Sequence, residues 1–370
     1  MKVPIFDLRV SDIDLKDELL GCVSKVLDHG RLFLGPEVEE FEYKICQHIG
    51  SKYAVGVASG SSALYLALKA NGIGSGDEVV TTPLTWIISS NAIKACGATP
   101  VFADVNDDFN INPKSIEEMI GPKTRAIVPV HYAGQMCDME SISAIAAAND
   151  LLVIEDAAQA FGASLNGKNA GTFSAAAGFS MNPMKALGGY GEAGVVVTDD
   201  QSVYDRLKRL RHAGTTSDPK KVITNYCEEV SLNHKMDTVN AAMLLVALRH
   251  WPARQKRREE IAQVFRDRLH PDVQSQRALP KHIHARYVYP IRTAARDGLK
   301  NFLEESDIET KIMHEPLVSE APAYLNSRSV VKNARRVLDS SLVIPSHEKL
   351  LETHIEYIIE RINKFFNHRL

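Results

Sequence analysis

Three short runs hold residues whose types and spacing suit chemistry. The first is Gly178-Phe179-Ser180-Met181-Asn182-Pro183-Met184-Lys185-Ala186-Leu187-Gly188-Gly189-Tyr190-Gly191-Glu192-Ala193-Gly194. Lys185 follows an apolar run of strand length and precedes a glycine-rich stretch. Lysine is ordinarily a solvated surface residue. Glycines let backbone pack closely around a ligand, and a lysine held in such a frame loses hydration, drops its pKa and can act as a Schiff-base amine. The second run, Val153-Ile154-Glu155-Asp156-Ala157-Ala158-Gln159, drives an apolar strand into two carboxylates. A carboxylate there can bind a metal, cap a helix or hold a cationic ring nitrogen. The third, Ala58-Ser59-Gly60-Ser61-Ser62-Ala63-Leu64, brings glycine and small hydroxyls to the start of a helix. Free backbone N–H groups and the helix dipole make such a place a cup for phosphate, and a glycine turn with a serine cap leaves the same trace.

Together the three runs suggest pyridoxal 5'-phosphate (PLP). That cofactor needs a phosphate cup, a lysine for the imine and an acid facing its pyridine nitrogen.

Positioning these runs falls to alternating strands and helices. From about residue 53, apolar runs (Tyr53–Ala58, Glu78–Thr81, Pro100–Phe102, Ala126–Pro129, Leu151–Ile154) alternate with helical stretches (Ser61–Ala70, Trp86–Ala95, Met139–Ala148). This predicts βα units, an α/β fold with a mostly parallel sheet covered by helices. The three runs then stand at the carboxyl ends of strands, where open parallel sheets bind ligands. Ala176–Ser180 and Val195–Thr198 read as further strands, and Ser202–Arg211 as a helix. Ser11–Asp28 and Glu37–Ile49 read as earlier helices, broken by Gly30 and Gly35-Pro36. Residues 236–270 read as helical, with Arg254–Arg258 as a solvated face. The C-terminal part alternates again: Val288–Arg292, a helix at Arg296–Glu305, a strand at Glu309–Ile312, a helix near Val330–Leu338 and an amphipathic helix, Thr353–Phe366. That is the pattern of a small α+β domain.

Composition narrows the class. Apolar residues make up 45% and charged residues 24% of 370, values of ordinary globular proteins. A net charge of -3 provides no general field for nucleic acid or an anionic membrane surface. Five cysteines, an odd number without CxxC or CxxH spacing, argue against a disulfide framework and a zinc site; no metal is expected. With no apolar run of signal-peptide length at the start and none of about 18 residues anywhere, the expected setting is cytoplasmic, without a membrane span.

These residues also carry a resemblance. Gly30-Arg31-Leu32-Phe33-Leu34-Gly35-Pro36-Glu37-Val38, Ser59–Leu64, Pro83-Leu84-Thr85-Trp86, Glu155–Gln159, Ser180–Lys185, Asn233-His234-Lys235-Met236-Asp237 with Ala241-Ala242, and Ser341-Leu342-Val343-Ile344-Pro345 together resemble the DegT-type (DegT/DnrJ/StrS) nucleotide-sugar aminotransferases, which are fold-type-I PLP enzymes. The likeness covers almost the full length. It implies a large PLP-binding domain at residues 1–250, with an N-terminal helical segment and a mainly parallel seven-stranded sheet. A smaller C-terminal α+β domain follows at 251–370. It further implies that Lys185 forms the imine and shuttles the proton. Asp156 keeps the pyridine nitrogen protonated, Gln159 contacts the ring hydroxyl and Trp86 stacks on one face. Ser180 and the loop Gly60, Ser61 and Ser62 hold the phosphate, and Asn233 reaches it from the partner chain of a homodimer with shared active sites. The implied reaction moves an amino group from an amino acid, with L-glutamate expected, to a keto group of a nucleotide-linked sugar, as in polysaccharide or antigen biosynthesis.

Two departures concern the sugar. Lys235 stands where relatives often carry arginine, keeping charge and losing the planar fork. Lys311–Leu317, with His314, differs from the family's frequent His-Tyr-Pro pattern. Leu187–Glu192, with Tyr190, resembles relatives that aminate the 3-position. Lys235, His314 and Tyr190 are thus the expected substrate residues. Two rivals exist: a PLP dehydratase of the same fold, in which histidine replaces the lysine, and a PLP-binding regulatory protein without turnover.

Overall fold

The computed structural model describes residues 1–215, 226–276 and 280–367. Part of the polar stretch Thr215–Glu229 therefore lies outside the described residues. Short runs rich in valine and isoleucine form the seven strands of the main sheet: β1 (Tyr53–Val57), β2 (Glu78–Thr81), β3 (Thr99–Phe102), β4 (Thr124–Val128), β5 (Leu152–Asp156), β6 (Ala176–Ser180) and β7 (Gly194–Thr198). Their order is β1-β7-β6-β5-β4-β2-β3. The pairs β2–β3, β2–β4, β4–β5 and β5–β6 are parallel. Only β7 runs against its neighbours. It returns from β6 through the glycine-rich loop, and an antiparallel return needs no crossover helix.

Helices α1 (Ile13–His29), α2 (Pro36–Ile49), α3 (Gly60–Ala70), α4 (Ile88–Ala95), α5 (Pro113–Met119), α6 (Met139–Ala148) and α7 (Gln201–Arg211) accompany the sheet. Caps set several starts: Asp12 accepts from Asp14 and Leu15 N–H in α1, and Ser59 from Ser62 N–H in α3. The short α5, begun by Asn112 and Pro113, was not anticipated. Neither was the hairpin of Ser164–Leu165 and Lys168–Asn169.

Next comes α8 (Thr238–Arg268), 31 residues with Pro252 inside. Its first half, around Ala241–Ala247, packs in the sheet's core; Ile261 and Phe265 pack in a separate apolar cluster. That cluster also holds Val3, Leu303, Ile344 and Ile358. It covers a small antiparallel sheet of β8 (Gln274–Ser275), β9 (Tyr289–Arg292) and β10 (Ser341–Ile344). Helices α9 (Arg296–Glu305), α10 (Lys332–Ser340) and α11 (Glu352–Asn367) complete this part. Val3 bridges Ile308, so the first residues belong with the C-terminal layer.

Two expectations need correction. Glu309–Ile312 forms no strand; Lys311 alone bridges Val343. The segment's backbone is divided between two neighbours, Lys311 pairing with Val343 on the side of β10 away from β9 and Glu309 N–H donating to Val3 O, so no ladder forms. The face Arg254–Arg258 is also not uniformly solvated. Arg258 is 6% exposed, donates to the carbonyls of Arg286 and Tyr287 and pairs with Glu348 at 2.7 Å. The C-terminal layer covers that face, and a buried guanidinium must then be paired.

Candidate active site

The parallel register brings three chain ends together. Asp156 pairs with Gly178 across β5 and β6, and Ser180 with Gly194 across β6 and β7. The start of α3 lies against them. A Cβ added to Gly60 would sit 2.5 Å from Ser180 Cβ, one on Gly194 2.4 Å from Ser59 O, and one on Gly178 3.1 Å from Leu64 N. Glycine at these positions is therefore a requirement of close approach. It sets the N-terminal N–H groups of α3 and the hydroxyls of Ser61, Ser62 and Ser180 at one edge of the sheet.

Lys185 hangs from the turn after β6. Its N–H donates to Asn182 O at 2.9 Å, Met184 N–H to Asn182 Oδ1 at 3.0 Å, and Asn182 Nδ2 to Glu192 Oε1 at 2.6 Å. The loop then folds back: a Cβ on Gly188 would meet Pro183 O at 2.4 Å. The half-buried Lys185 holds Nζ 4.4 Å from the centroid of the Tyr287 ring. Burial lowers its pKa to about 8, against the pull of Asp156 and Glu192 and with some help from Lys311. An amine in that range has a substantial neutral, nucleophilic fraction near neutral pH.

Asp156 is 6% exposed. Ser89 Oγ donates to its Oδ2 at 2.7 Å and Ala158 N–H to its Oδ1 at 3.2 Å. Burial pushes its pKa up, and these bonds together with Lys185 and His131 restrain it. Glu155 faces the other way. It accepts from Gly171 N–H, Phe173 N–H and Ser174 Oγ at 2.9, 3.0 and 2.7 Å. It also accepts from His131 Nε2 at 2.9 Å. Cys137 N–H donates to His131 Nδ1, so Nε2 carries the ring proton. Of the two carboxylates, Glu155 thus braces a loop and Asp156 faces the lysine side.

Gln159 is buried, and its Oε1 accepts Ala133 N–H at 2.8 Å. Trp86 is 61% exposed just before α4. His314, at a φ of 63°, meets the Tyr132 ring edge-on at 5.4 Å. Its Nδ1 is buried without a hydrogen-bond partner. Burial, then Lys185 and Lys311, lowers its pKa to about 3 and keeps the ring neutral. Tyr190 OH receives Arg254 Nη2 at 3.4 Å.

Asn233 and Lys235 lie apart, on a segment running along the outer edge of β1. Lys235 bridges Val57, and Ala58 N–H donates to His234 O. His234 Nδ1 lies 2.9 Å from Ser62 Oγ. Successive side chains of an extended segment alternate, and Asn233 is exposed. Lys235 Nζ meets His212 Nδ1 at 3.0 Å. Sequence reasoning missed Tyr287, Ser89 and Arg254 as neighbours of the site. Nothing local marks Tyr287, which comes a hundred residues after the lysine. Ser89, one turn after Trp86, was within reach of a helical-spacing argument.

Comparison with known proteins adds four findings. A model of the DegT/DnrJ/EryC1/StrS aminotransferase family matches residues 14–363. A pleiotropic regulatory protein of Geobacillus stearothermophilus is 35% identical over 376 residues, covering 100% of both chains. A dTDP-3-amino-3,6-dideoxy-alpha-D-galactopyranose transaminase of Aneurinibacillus thermoaerophilus is 35% identical over 98% of this chain and 99% of its own. Among solved structures, S. venezuelae DesV in complex with a ketimine intermediate superposes with a TM-score of 0.93, at 33% identity and 98% coverage of each chain.

Proposed function

We infer the activity from one premise: the chain belongs to the DegT/DnrJ/EryC1/StrS aminotransferase family. It is a nucleotide-sugar aminotransferase that uses PLP, takes its amino group from L-glutamate and delivers it to a keto sugar, at the 3-position. The observation that carries this is a lysine with a pKa lowered to about 8, set beside a buried carboxylate at the edge of a glycine-built cup. The 3-position rests on the Tyr190 loop and on the name of the Aneurinibacillus relative.

The residues present fit the cofactor. Glycine at position 60 lets the start of α3 sit against Ser180, Asp156 keeps acceptor capacity beyond Ser89 and Ala158, and Trp86 offers an exposed ring. Bound PLP supplies an electron sink for ionising a bond beside the substrate nitrogen. Lys185 would anchor it through Nζ and would hold and return a proton at that atom. Asp156 keeps the ring nitrogen protonated. Gly60, Ser61, Ser62 and Ser180 hold the phosphate, Gln159 the ring hydroxyl and Trp86 one ring face. His314, neutral with a free Nδ1, and Tyr190 hold the sugar, joined by the partner's Lys235 on the segment that carries Asn233.

The same proposal includes a homodimer in which Asn233 reaches the partner's phosphate. Its support is an exposed apolar stripe on α1, Ile13, Leu20 and Leu27 at 69%, 59% and 63%, with Val230 and Leu232 at 80% and 68% beside Asn233. It also includes division into residues 1–250 and 251–370, although residue 250 lies inside α8. Among the described residues no helix is long and apolar enough to cross a membrane; a cytoplasmic setting is proposed.

The test is covalent. Borohydride should fix the cofactor on Lys185, and glutamate should convert it to the amine form with release of the keto acid. A reduced adduct on another lysine overturns the assignment. The name of the Geobacillus relative gives a second reading, regulation without turnover; a bound cofactor that glutamate never converts would favour it. Lys185 itself speaks against a dehydratase.

A further inference from the structure

A cavity of about 270 Å³ opens on the Tyr190 side of Lys185. Its N-terminal wall is apolar: Phe6, Leu8, Val10 and Leu15. Phe6 stacks on Tyr287, the ring beneath Lys185, and Leu8 is 53% exposed. The other wall is charged. Four cations, Lys185, Arg254, Arg258 and Lys349, face two carboxylates, Asp7 and Glu348.

These charges are not evenly matched. Glu348 belongs to Arg258 at 2.7 Å, and Asp7 is taken by Arg9 at 2.8 Å. Lys349 donates to the carbonyls of Asp7 and Arg9, tying the N-terminal segment down. Arg254 is half-buried and, among the described residues, makes no ion pair; its hydrogen bond is the long one to Tyr190 OH. The nearby Glu348 is already held by Arg258, so the half-buried Arg254 guanidinium keeps its planar fork available for an anion.

We propose that Arg254 seats the diphosphate of the sugar substrate in this cavity, with the nucleoside along the Phe6–Leu15 wall. Cationic floor and apolar wall match the two halves of a nucleoside diphosphate. With Arg258–Glu348 and Arg9–Asp7 paired and Lys185 given to the cofactor, Arg254 and Lys349 leave two positive charges, which fit a diphosphate better than the single α-carboxylate of an amino donor. Tyr190 lies in the loop that carries Lys185, and its hydroxyl accepts from Arg254 Nη2 in the same cavity. This rests on the nucleotide-sugar reading above and names the residue that reads the nucleotide's charge.

Calorimetric titration of the holoenzyme with dTDP and UDP tests it, with thymidine and uridine as phosphate-free controls. Arg254→Gln should weaken both diphosphates by about tenfold or more, leave the nucleoside controls as they were, and keep the melting temperature. Arg254→Lys should recover part of the affinity, since it restores charge without the fork. The glutamate half-reaction, which involves no nucleotide, is followed in parallel. If Arg254→Gln slows that half-reaction and spares the diphosphates, Arg254 reads the donor's carboxylate and the proposal is overturned. If the parent protein binds a diphosphate and Arg254→Gln binds it equally well, the seat lies elsewhere while the nucleotide-sugar reading stands. If the parent binds neither of these diphosphates nor GDP, the nucleotide-sugar reading itself falls, and this proposal with it.

Discussion

Glu155 and Asp156 are sequence neighbours on one strand, so their side chains leave opposite faces of the sheet. Asp156 looks toward Lys185, while Glu155 gathers His131, two backbone N–H groups and Ser174. That bonding outweighs burial and leaves the Glu155 pKa below the ordinary 4.5. A carboxylate lowered on folding contributes stability above its unfolded pKa, and loses it as pH falls toward the folded value. Glu155→Ala should cost about 3–5 kcal/mol in denaturant unfolding near neutral pH, because a buried partner set is left unpaired. Glu155→Gln should lose less at neutral pH and flatten the decline below the carboxylate range. Equal acid sensitivity in Glu155→Gln and the parent protein would move the acid-labile group elsewhere.

At the scale of elements, the cup depends on how closely α3 approaches β6 and β7. A Cβ on Gly194 would stand 2.4 Å from Ser59 O and 2.9 Å from Gly60 N, both backbone atoms that cannot swing aside. Gly194→Ala should therefore destabilise the fold by about 1–3 kcal/mol, the usual scale of overpacking, and weaken PLP binding measured by absorbance titration. Gly21 is the control. It lies within α1 with nothing within 4 Å of its added Cβ, so Gly21→Ala should raise stability by about 0.5–1 kcal/mol. Unchanged cofactor affinity in Gly194→Ala would separate the cup from the helix–strand contact.

For the whole molecule, the exposed face of α1 and the exposed Asn233 lead to a test of sharing. Lys185→Ala removes the amine of one chain's own site, and Asn233→Asp sets a negative charge against the neighbour's phosphate. Each variant alone should be inactive. Mixed and allowed to exchange subunits, they should regain activity, since one site of each heterodimer then combines an intact Lys185 with an intact Asn233. No recovery despite demonstrated exchange would mean that each site is built within one chain.

Strand and helix periods were legible in the sequence nearly to the residue, as with β2, β6, α6 and α9, because backbone geometry imposes periods of two and 3.6 on any half-buried element. The strand-end places of Lys185, Asp156 and the Ser59–Ser62 run were legible for the same reason: each is a local run at a strand end. The partners of those groups were not. Tyr287 beneath Lys185, His131 on Glu155 and the Arg258–Glu348 pair join segments far apart in the chain. Arg254–Arg258 has the local pattern of a solvated face, and only the C-terminal layer packed on α8 makes Arg258 a buried ion. Glu309–Ile312 has the local pattern of a strand, and only the closed fold divides its backbone between Val3 and Val343, leaving a bridge and no ladder. Local periodicity specifies what each element can bury; which neighbour buries it is decided when the layers close.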